Sequence, residues 1–275
     1  MKKKLTILIS GLLLIIGVAV FAKSAQSADT PRKVTLPPQA KEVAPGVFDL
    51  GLAKDSKGRD VQGYAVLRFR KDGAQKSANA RAGGKNSCFA FLSRGAKWKA
   101  VEDYLVDPAN SEGLGNAFVT STIGSAHAKW EDAGDGTVGS GAGVSIFGNE
   151  VSGIVDGADT VSPDDKNEAM FGDIDSQGAI AVTIVWGFFG GPVAGRELVE
   201  WDEVYDDVDF DWSSSGELTK MDFENIVTHE DGHAAGMGHP SDSCTEETMY
   251  RFATEGETKK RDLNSGDIKG ISDLY

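Results

Sequence analysis

Three of the four histidines of this 275-residue chain lie close together, in the stretch THEDGHAAGMGHP. The spacing predicts a helix on which His229 and His233, four residues apart, lie about one turn from each other on the same face. Gly236 is suited to end that helix because glycine adopts a positive φ without steric cost. The returning chain then brings His239 to the same point. The pattern therefore predicts three imidazoles around a single metal ion.

Glu230 follows the first predicted ligand and is rotated about a quarter turn from it on the helix, so its carboxylate lies beside the ion and does not bind it. Three neutral imidazoles leave a fourth tetrahedral position for water, which distinguishes a catalytic zinc site from a closed structural one. We therefore expect a catalytic zinc centre with the carboxylate of Glu230 beside it. His127 stands alone on a predicted amphipathic helix, and we interpret it as a packed or surface histidine.

This motif resembles the HExxHxxGxxH signature of the metzincin zinc peptidases, carried here by His229, Glu230, His233, Gly236 and His239. Met249, followed by Tyr250, is similar to the Met-turn of that family, where the methionine lies beneath the ligands without touching the metal. The downstream segment looks like the matrixin branch, particularly its secreted prokaryotic members. The resemblance also includes the segments Lys97-Trp98, AHAKW and AIAVTIVW, and so covers about residues 88–275.

The resemblance implies an α+β catalytic domain with a twisted mixed sheet, an edge strand over the cleft, an active-site helix and a C-terminal helix. It implies a zinc endopeptidase in which zinc activates a water and Glu230 passes the water's proton to the leaving amine. In such enzymes the substrate pairs antiparallel with the edge strand by strand addition. The residues that best match that edge are Ala179, Ile180, Ala181 and Val182.

Local patterns predict the remaining elements. A hairpin is expected around a turn at Lys57-Gly58. Residues 28–46 are interpreted as a linker, and residues 71–87, which are polar and rich in small residues, as a domain boundary or processing site. Residues 134–168 are rich in Gly, Ser and Asp and predict a loop around one or two short strands. Further strands are expected over 97–108, 179–189 and 197–205, and helices over 113–131, 221–235 and from an N-cap at Ser265 onward.

The first 27 residues have three lysines, an apolar run and then small residues, which is the order of a secretory signal peptide. An uncleaved membrane anchor is the alternative, because the run approaches the length that spans a bilayer. Either way the bulk of the chain is expected outside the cytoplasm, secreted or surface-anchored. Residues 28–87 are interpreted as a propeptide, an intramolecular chaperone or a retained accessory hairpin, and residues 88–275 as the catalytic domain.

The net charge is strongly negative. Residues 1–27 carry four lysines and no acid, so their removal changes the net charge from -14 to -18. Such a surface repels nucleic acid and anionic membranes. We expect a monomer that acts on a protein or peptide substrate and, after signal cleavage, binds neither nucleic acid nor membrane.

The two cysteines, Cys88 and Cys244, make one disulfide the default in an oxidising compartment, although sequence does not show that they are near each other. Animal matrixins are kept latent by a prosegment cysteine that binds the zinc. Cys88, in KNSCFAF, lacks that motif's context. A Cys88–Cys244 disulfide that joins the start of the catalytic domain to the floor of its site is therefore the preferred hypothesis.

Three features depart from the family. Only His127 remains for the second, structural zinc of animal matrixins, so that site is expected to be absent. Asp231 occupies a usually apolar position, where a buried carboxylate needs a partner. Calcium is left open, because several acidic residues lie near positions where the family binds it: Asp173, Asp175, Glu200, Asp202 and Asp206. The alternative function is a non-catalytic extracellular binding module stabilised by zinc.

Overall fold

One mixed β-sheet and three α-helices organise the part of the chain that the structure, a computed structural model, describes: residues 32–71 and 87–275. This is the α+β class that the sequence predicts. The helices are α1 (Asn116–Ala133), α2 (Phe223–Ala234) and α3 (Ser265–Leu274). The predicted signal peptide and most of the predicted boundary or processing segment over 71–87 lie outside the described residues.

Most of the thirteen strands among these residues belong to that sheet. In chain order they are β1 (Lys33–Val34), β2 (Lys41–Ala44), β3 (Val47–Lys54), β4 (Asp60–Arg70), β5 (Ala90–Phe91), β6 (Tyr104–Asp107), β7 (Asn167–Ile174), β8 (Ala179–Phe188), β9 (Glu197–Asp206), β10 (Trp212–Ser213), β11 (Met221–Asp222), β12 (Met237–Gly238) and β13 (Phe252–Ala253). The main sheet has the order β1-β7-β9-β8-β4-β3-β2, with β6 also paired to β7 and β13 to β4.

The predicted hairpin is confirmed by β3 and β4. Asp55 accepts hydrogen bonds from the backbone N–H groups of Lys57 and Arg59, and Gly58 has a φ of +74°. The prediction of a linker over 28–46 is wrong where β1 and β2 form. These strands come from residues that have no apolar periodicity of their own, and each is fixed by pairing with a longer strand, β7 or β3.

The edge-strand prediction for Ala179, Ile180, Ala181 and Val182 is wrong in this structure. β8 pairs with β9 on one side and antiparallel with β4 on the other, from Gln62↔Gly187 to Phe69↔Ala179. Residues of the predicted N-terminal region therefore cover the edge that the resemblance assigns to substrate.

Two apolar clusters lie on the two faces of the sheet. One fills the space between the sheet and the helices and includes Ala181 and Val185 of β8. The other lies on the opposite face and includes Val182 and Ile184 of β8 with Leu67 of β4. Since both faces of β8 are buried, the strand is a continuous apolar run without the alternation of a half-exposed strand.

The remaining predictions differ mainly at element ends. The strand expected over 97–108 is only β6, and in 134–166 the described structure has an isolated bridge from Tyr104 to Glu150 in place of a strand. The N-cap of α3 is Asn264, one residue before the predicted Ser265. Its capping box with Asp267 satisfies the first N–H groups of the helix.

Candidate metal centre and active site

Helix α2 places the central motif in the interior of the protein. Its N-cap, Asp222, accepts a hydrogen bond from the backbone N–H of Asn225 at 3.0 Å and forms an ion pair with Arg261. These contacts fix the start of the helix. His229, Glu230 and His233 follow on it, each with 0% of its surface exposed.

The three histidines converge on one point. The Nε2 atoms of His229 and His233 are 3.1 Å apart, and each lies 3.2 or 3.0 Å from Nε2 of His239. Tetrahedral zinc with bonds of about 2.0 to 2.1 Å needs neighbouring nitrogens roughly 3.3 Å apart. The separations therefore fit a zinc ion with one further position free.

Backbone carbonyls hold two of the rings in the tautomer that a metal needs. Nδ1 of His229 donates to the carbonyl of Thr248 at 2.6 Å, and Nδ1 of His233 donates to that of Met237 at 2.9 Å. Burial lowers the pKa of His229 well below its usual range and that of His233 to about 3, so both rings are neutral. With the proton on Nδ1, the Nε2 lone pairs point at the shared centre.

Gly236 lets the chain return after α2, as the spacing predicts. Its φ is +100°, and a Cβ there would lie 2.8 Å from the carbonyl oxygen of Ala96. The next residues, β12, pair with β5. This pairing directs the chain back so that His239 reaches the other two rings.

The carboxylate of Glu230 is held by one strand residue. Thr183 on β8 donates its hydroxyl to Oε2 at 2.7 Å, while Oε1 has no hydrogen-bond partner within the described ranges. Burial raises the pKa of Glu230 to about 7, against the opposing effects of Arg68 and Thr183. One oxygen is thus fixed and the other is available to take a proton.

Met249 lies directly beneath the site. It is fully buried, and a Cβ at Gly232 would lie 2.2 Å from its Sδ. Asp267 of α3 accepts the backbone N–H groups of Thr248 and Met249 at 2.7 and 3.1 Å. Since Thr248 also binds His229 through its carbonyl, α3 supports a ligand through this turn.

The sequence names no partner for Asp231. In the structure, Asp231 faces two groups from other elements. His127 of α1 is buried and stacks on Phe147, and its Nε2 lies 3.6 Å from Oδ1 of Asp231. Glu203 of β9 also faces Asp231, and burial with the nearby carboxylate raises the pKa of Asp231 well above its usual range. The hydroxyl of Tyr205 donates to Glu203.

Cys88 and Cys244 form a disulfide, with Cα atoms 5.5 Å apart. Cys88 lies just before β5, and Cys244 lies between His239 and Met249. The bond therefore links the segment that pairs with β12 to the loop beneath the metal centre.

The acidic residues suggested for calcium do not converge as a set. Asp173 and Asp175 both lie 3.6 Å from Nζ of Lys33, and Asp206 accepts three backbone N–H groups. Glu200 instead lies close to two loop residues that were not predicted from the sequence, Asp159 and Asp164. Among the described residues, this trio and the three histidines are the two groups whose ligand atoms are close enough to hold an ion.

Comparison with known families agrees with this geometry. Residues 192–275, which contain α2, the three histidines and Met249, match the family Matrixin. This segment, which includes the predicted metal ligands, is similar to the matrixins. The match covers the part of the chain from just before β9 to α3.

Curated relatives support the same assignment. Metalloendoproteinase 2-MMP of Arabidopsis thaliana is 38% identical over 76 residues, which are 25% of this chain and 19% of the relative. Metalloendoproteinase 1 of Glycine max is 35% identical over 96 residues, 32% of this chain and 30% of the relative. Human Matrilysin is 39% identical over 69 residues, 25% of each. The chain thus spans less than a third of the length of each of these relatives.

Some residues at the site were not selected from the sequence. Thr183 lies inside the predicted strand 179–189, and strand alternation places it on the same face as Ala181. Arg68 is an arginine in the otherwise apolar or aromatic run YAVLRF, a composition that signals a buried charge. Glu203 has no comparable signal, because its approach to Asp231 depends on how α2 packs on β9.

Proposed function

We propose that this chain is a secreted zinc-dependent endopeptidase, with His229, His233 and His239 as the metal ligands and Glu230 as the general base. The observation that carries the proposal is the convergence of three neutral imidazoles beside a carboxylate with one free oxygen. The names of the curated relatives, metalloendoproteinases and Matrilysin, support it.

Each residue has a part in this chemistry. When bound, zinc supplies a Lewis acid that activates water and polarises a peptide carbonyl. Thr183 holds Oε2 of Glu230, so that Oε1 faces the water and accepts its proton. Glu230 then donates that proton to the nitrogen of the leaving amine. Thr248 and Met237 keep the ligand rings oriented, and Met249 fills the space beneath them.

The proposed substrate is a protein or peptide, and the proposed location is extracellular. Matrixins are typically extracellular, and the N-terminal sequence has the order of a signal peptide. Within the described ranges no helix is both long and apolar enough to cross a membrane. The acidic net charge supports a protein that does not bind nucleic acid.

Calcium is proposed at the trio Asp159, Asp164 and Glu200. Burial and the neighbouring carboxylate of Asp159 raise the pKa of Glu200 to about 9, and its Oε1 has no hydrogen-bond partner in the described parts of the chain. A hard cation would satisfy that oxygen and remove the repulsion. Calcium titration should raise the Tm of the wild type and leave that of Glu200→Gln unchanged; equal shifts in both contradict the site.

The peptidase proposal is tested by zinc content and hydrolysis measured on the same preparation. We expect one equivalent of zinc per chain and hydrolysis of casein that a strong chelator abolishes and zinc restores. The protein is assayed as purified and after limited trypsin treatment, with the trypsin then inhibited. Equimolar zinc without hydrolysis in either form would point to the alternative, a binding module stabilised by zinc.

A further inference from the structure

The candidate active site is largely buried, and the chain's own N-terminal residues contribute to its cover. Glu230 and two of the ligand histidines have no exposed surface. A peptide carbonyl and a water must come within hydrogen-bond reach of Glu230 for hydrolysis. In the described conformation a substrate therefore has no access to Glu230, which has no exposed surface.

The strand that covers the site is β4. It runs antiparallel to β8 from Gln62 to Phe69, and β8 carries Thr183, the residue that binds Glu230. A peptide that binds by strand addition uses the free N–H and C=O groups of an edge. On β8 those groups are already paired to β4, so the two strands compete for one position.

Side chains of β4 enter the site itself. Val66 and Arg68 pair with Thr183 and Ala181, so they lie on the face of the sheet that packs against α2. The guanidinium of Arg68 is fully buried and donates to the carbonyl of Asn225 at 3.4 Å. Its Nε and Nη2 have no hydrogen-bond partner among the described residues, and its charge acts on Glu230.

The turn before β3 covers the third ligand. Gly46 has a φ of +73°, and a Cβ there would lie 2.8 Å from the carbonyl oxygen of Leu67 and 3.9 Å from Cε1 of His239. His239 lines a cavity of about 440 Å³ whose walls include residues 43–45. The access route on this side is thus also bounded by N-terminal residues.

We propose that residues 43–70 are an intramolecular occupant of the position on β8 where a substrate strand would bind. These residues hold the enzyme latent until β4 leaves β8. This inference rests on the peptidase function proposed above. The occupant pairs antiparallel with β8, as a bound peptide would, and it places on the side of the sheet that faces α2 a charged side chain, that of Arg68, whose charge acts on the general base. The latent conformation is stabilised by Ala65 and Leu67, which are buried in the apolar cluster on the opposite face of the sheet.

A reversible covalent lock tests the proposal. The pair Ala65↔Ile184 joins β4 to β8 on the face away from α2, so the double variant Ala65→Cys/Ile184→Cys leaves the site residues unchanged. After limited trypsin treatment, we expect the oxidised form to hydrolyse a peptide at least about tenfold more slowly than the reduced form, since only the open population binds substrate. The single-cysteine variants and the wild type, treated with the same reductant, are the controls.

A second pair of variants keeps the test decisive if the lock disturbs folding. Leu67→Ala removes a β4 side chain from the apolar cluster on the opposite face of the sheet and so weakens the packing of β4. Ile174→Ala removes a β7 side chain from the same cluster. Leu67→Ala should raise untreated activity about threefold or more by increasing the open population, and Ile174→Ala should not. No rise in Leu67→Ala, or an equal rise in both, overturns the proposal.

The outcomes separate the two proposals. If the oxidised lock hydrolyses peptide as fast as the reduced form while Glu230→Ala does not, the peptidase function stands and the occlusion is wrong. If the wild type, the reduced lock and Leu67→Ala all bind one zinc and none hydrolyses peptide, the peptidase function itself is wrong.

Discussion

The hydroxyl of Thr183 donates to Oε2 of Glu230 at 2.7 Å, so a residue of the central sheet fixes the orientation of the carboxylate proposed as the general base. This contact joins β8, where we propose that substrate binds, to α2, which carries two metal ligands. The geometry of the base therefore depends on how the helix packs on that strand.

Replacing Thr183 by valine should impair catalysis more than binding. A hydrogen bond to a charged group contributes about 1.5 to 3 kcal/mol, so we expect kcat to fall roughly 10- to 100-fold with little change in KM. Thr183→Ser, which keeps the hydroxyl, is the matched control. Steady-state kinetics after limited trypsin treatment measures the effect, and a loss that is equal in both variants would contradict a role for the hydroxyl.

The same variant should shift the pH dependence. Thr183 lowers the pKa of Glu230 against the rise caused by burial, and the base acts only when it is deprotonated. Removal of the hydroxyl therefore raises the pKa, and the acidic limb of kcat/KM should move to higher pH in Thr183→Val. A limb that stays in place or moves to lower pH would contradict the assignment of Glu230.

Stability should depend on pH through the buried carboxyl of Glu203. Burial raises its pKa above the ordinary 4.5, so the folded protein binds more protons than the unfolded chain above that pH. The stability that the protonated carboxyl of Glu203 contributes is then lost as pH rises, by about 1.4 kcal/mol per unit of pKa shift. Glu203→Gln should gain stability relative to wild type from pH 5 to pH 8 in urea unfolding. A constant difference would show that the carboxyl titrates normally.

Loss of the disulfide should destabilise the metal centre. Cys88 and Cys244 are 156 residues apart, and a native disulfide contributes about 2 to 5 kcal/mol, with longer loops at the upper end. The double variant Cys88→Ser/Cys244→Ser should unfold at lower urea concentration. It should also lose zinc faster to a chelator, because the bond holds the loop between His239 and Met249. An unchanged rate of zinc release would show that the disulfide does not stabilise the site.

The convergence of the three histidines was predictable from sequence because its geometry is mostly local. The spacing of His229 and His233 on one helix and the return at Gly236 follow from helical periodicity and the conformational freedom of glycine. The strand β8 was predictable from its apolar run, and β9 from its β-branched and aromatic residues. The α+β class came from the resemblance.

The covering of β8 by β4 was not predictable in the same way. Strand pairing between segments far apart in the chain is decided by which edges are free in the folded sheet, and no local pattern records it. The partners of Asp231 are similar, because His127 and Glu203 approach it only once α1 and β9 pack against α2. Both features depend on long-range packing, which the local sequence does not show.

The central claim is most directly tested by comparing the wild type with Glu230→Ala in one assay. Both proteins are loaded with zinc to one equivalent, treated with limited trypsin, freed of trypsin activity and incubated with casein. Equal zinc content shows that the three ligands are intact in both. The account predicts hydrolysis by the wild type and a loss of at least about a hundredfold in Glu230→Ala; equal hydrolysis by the two proteins would contradict it.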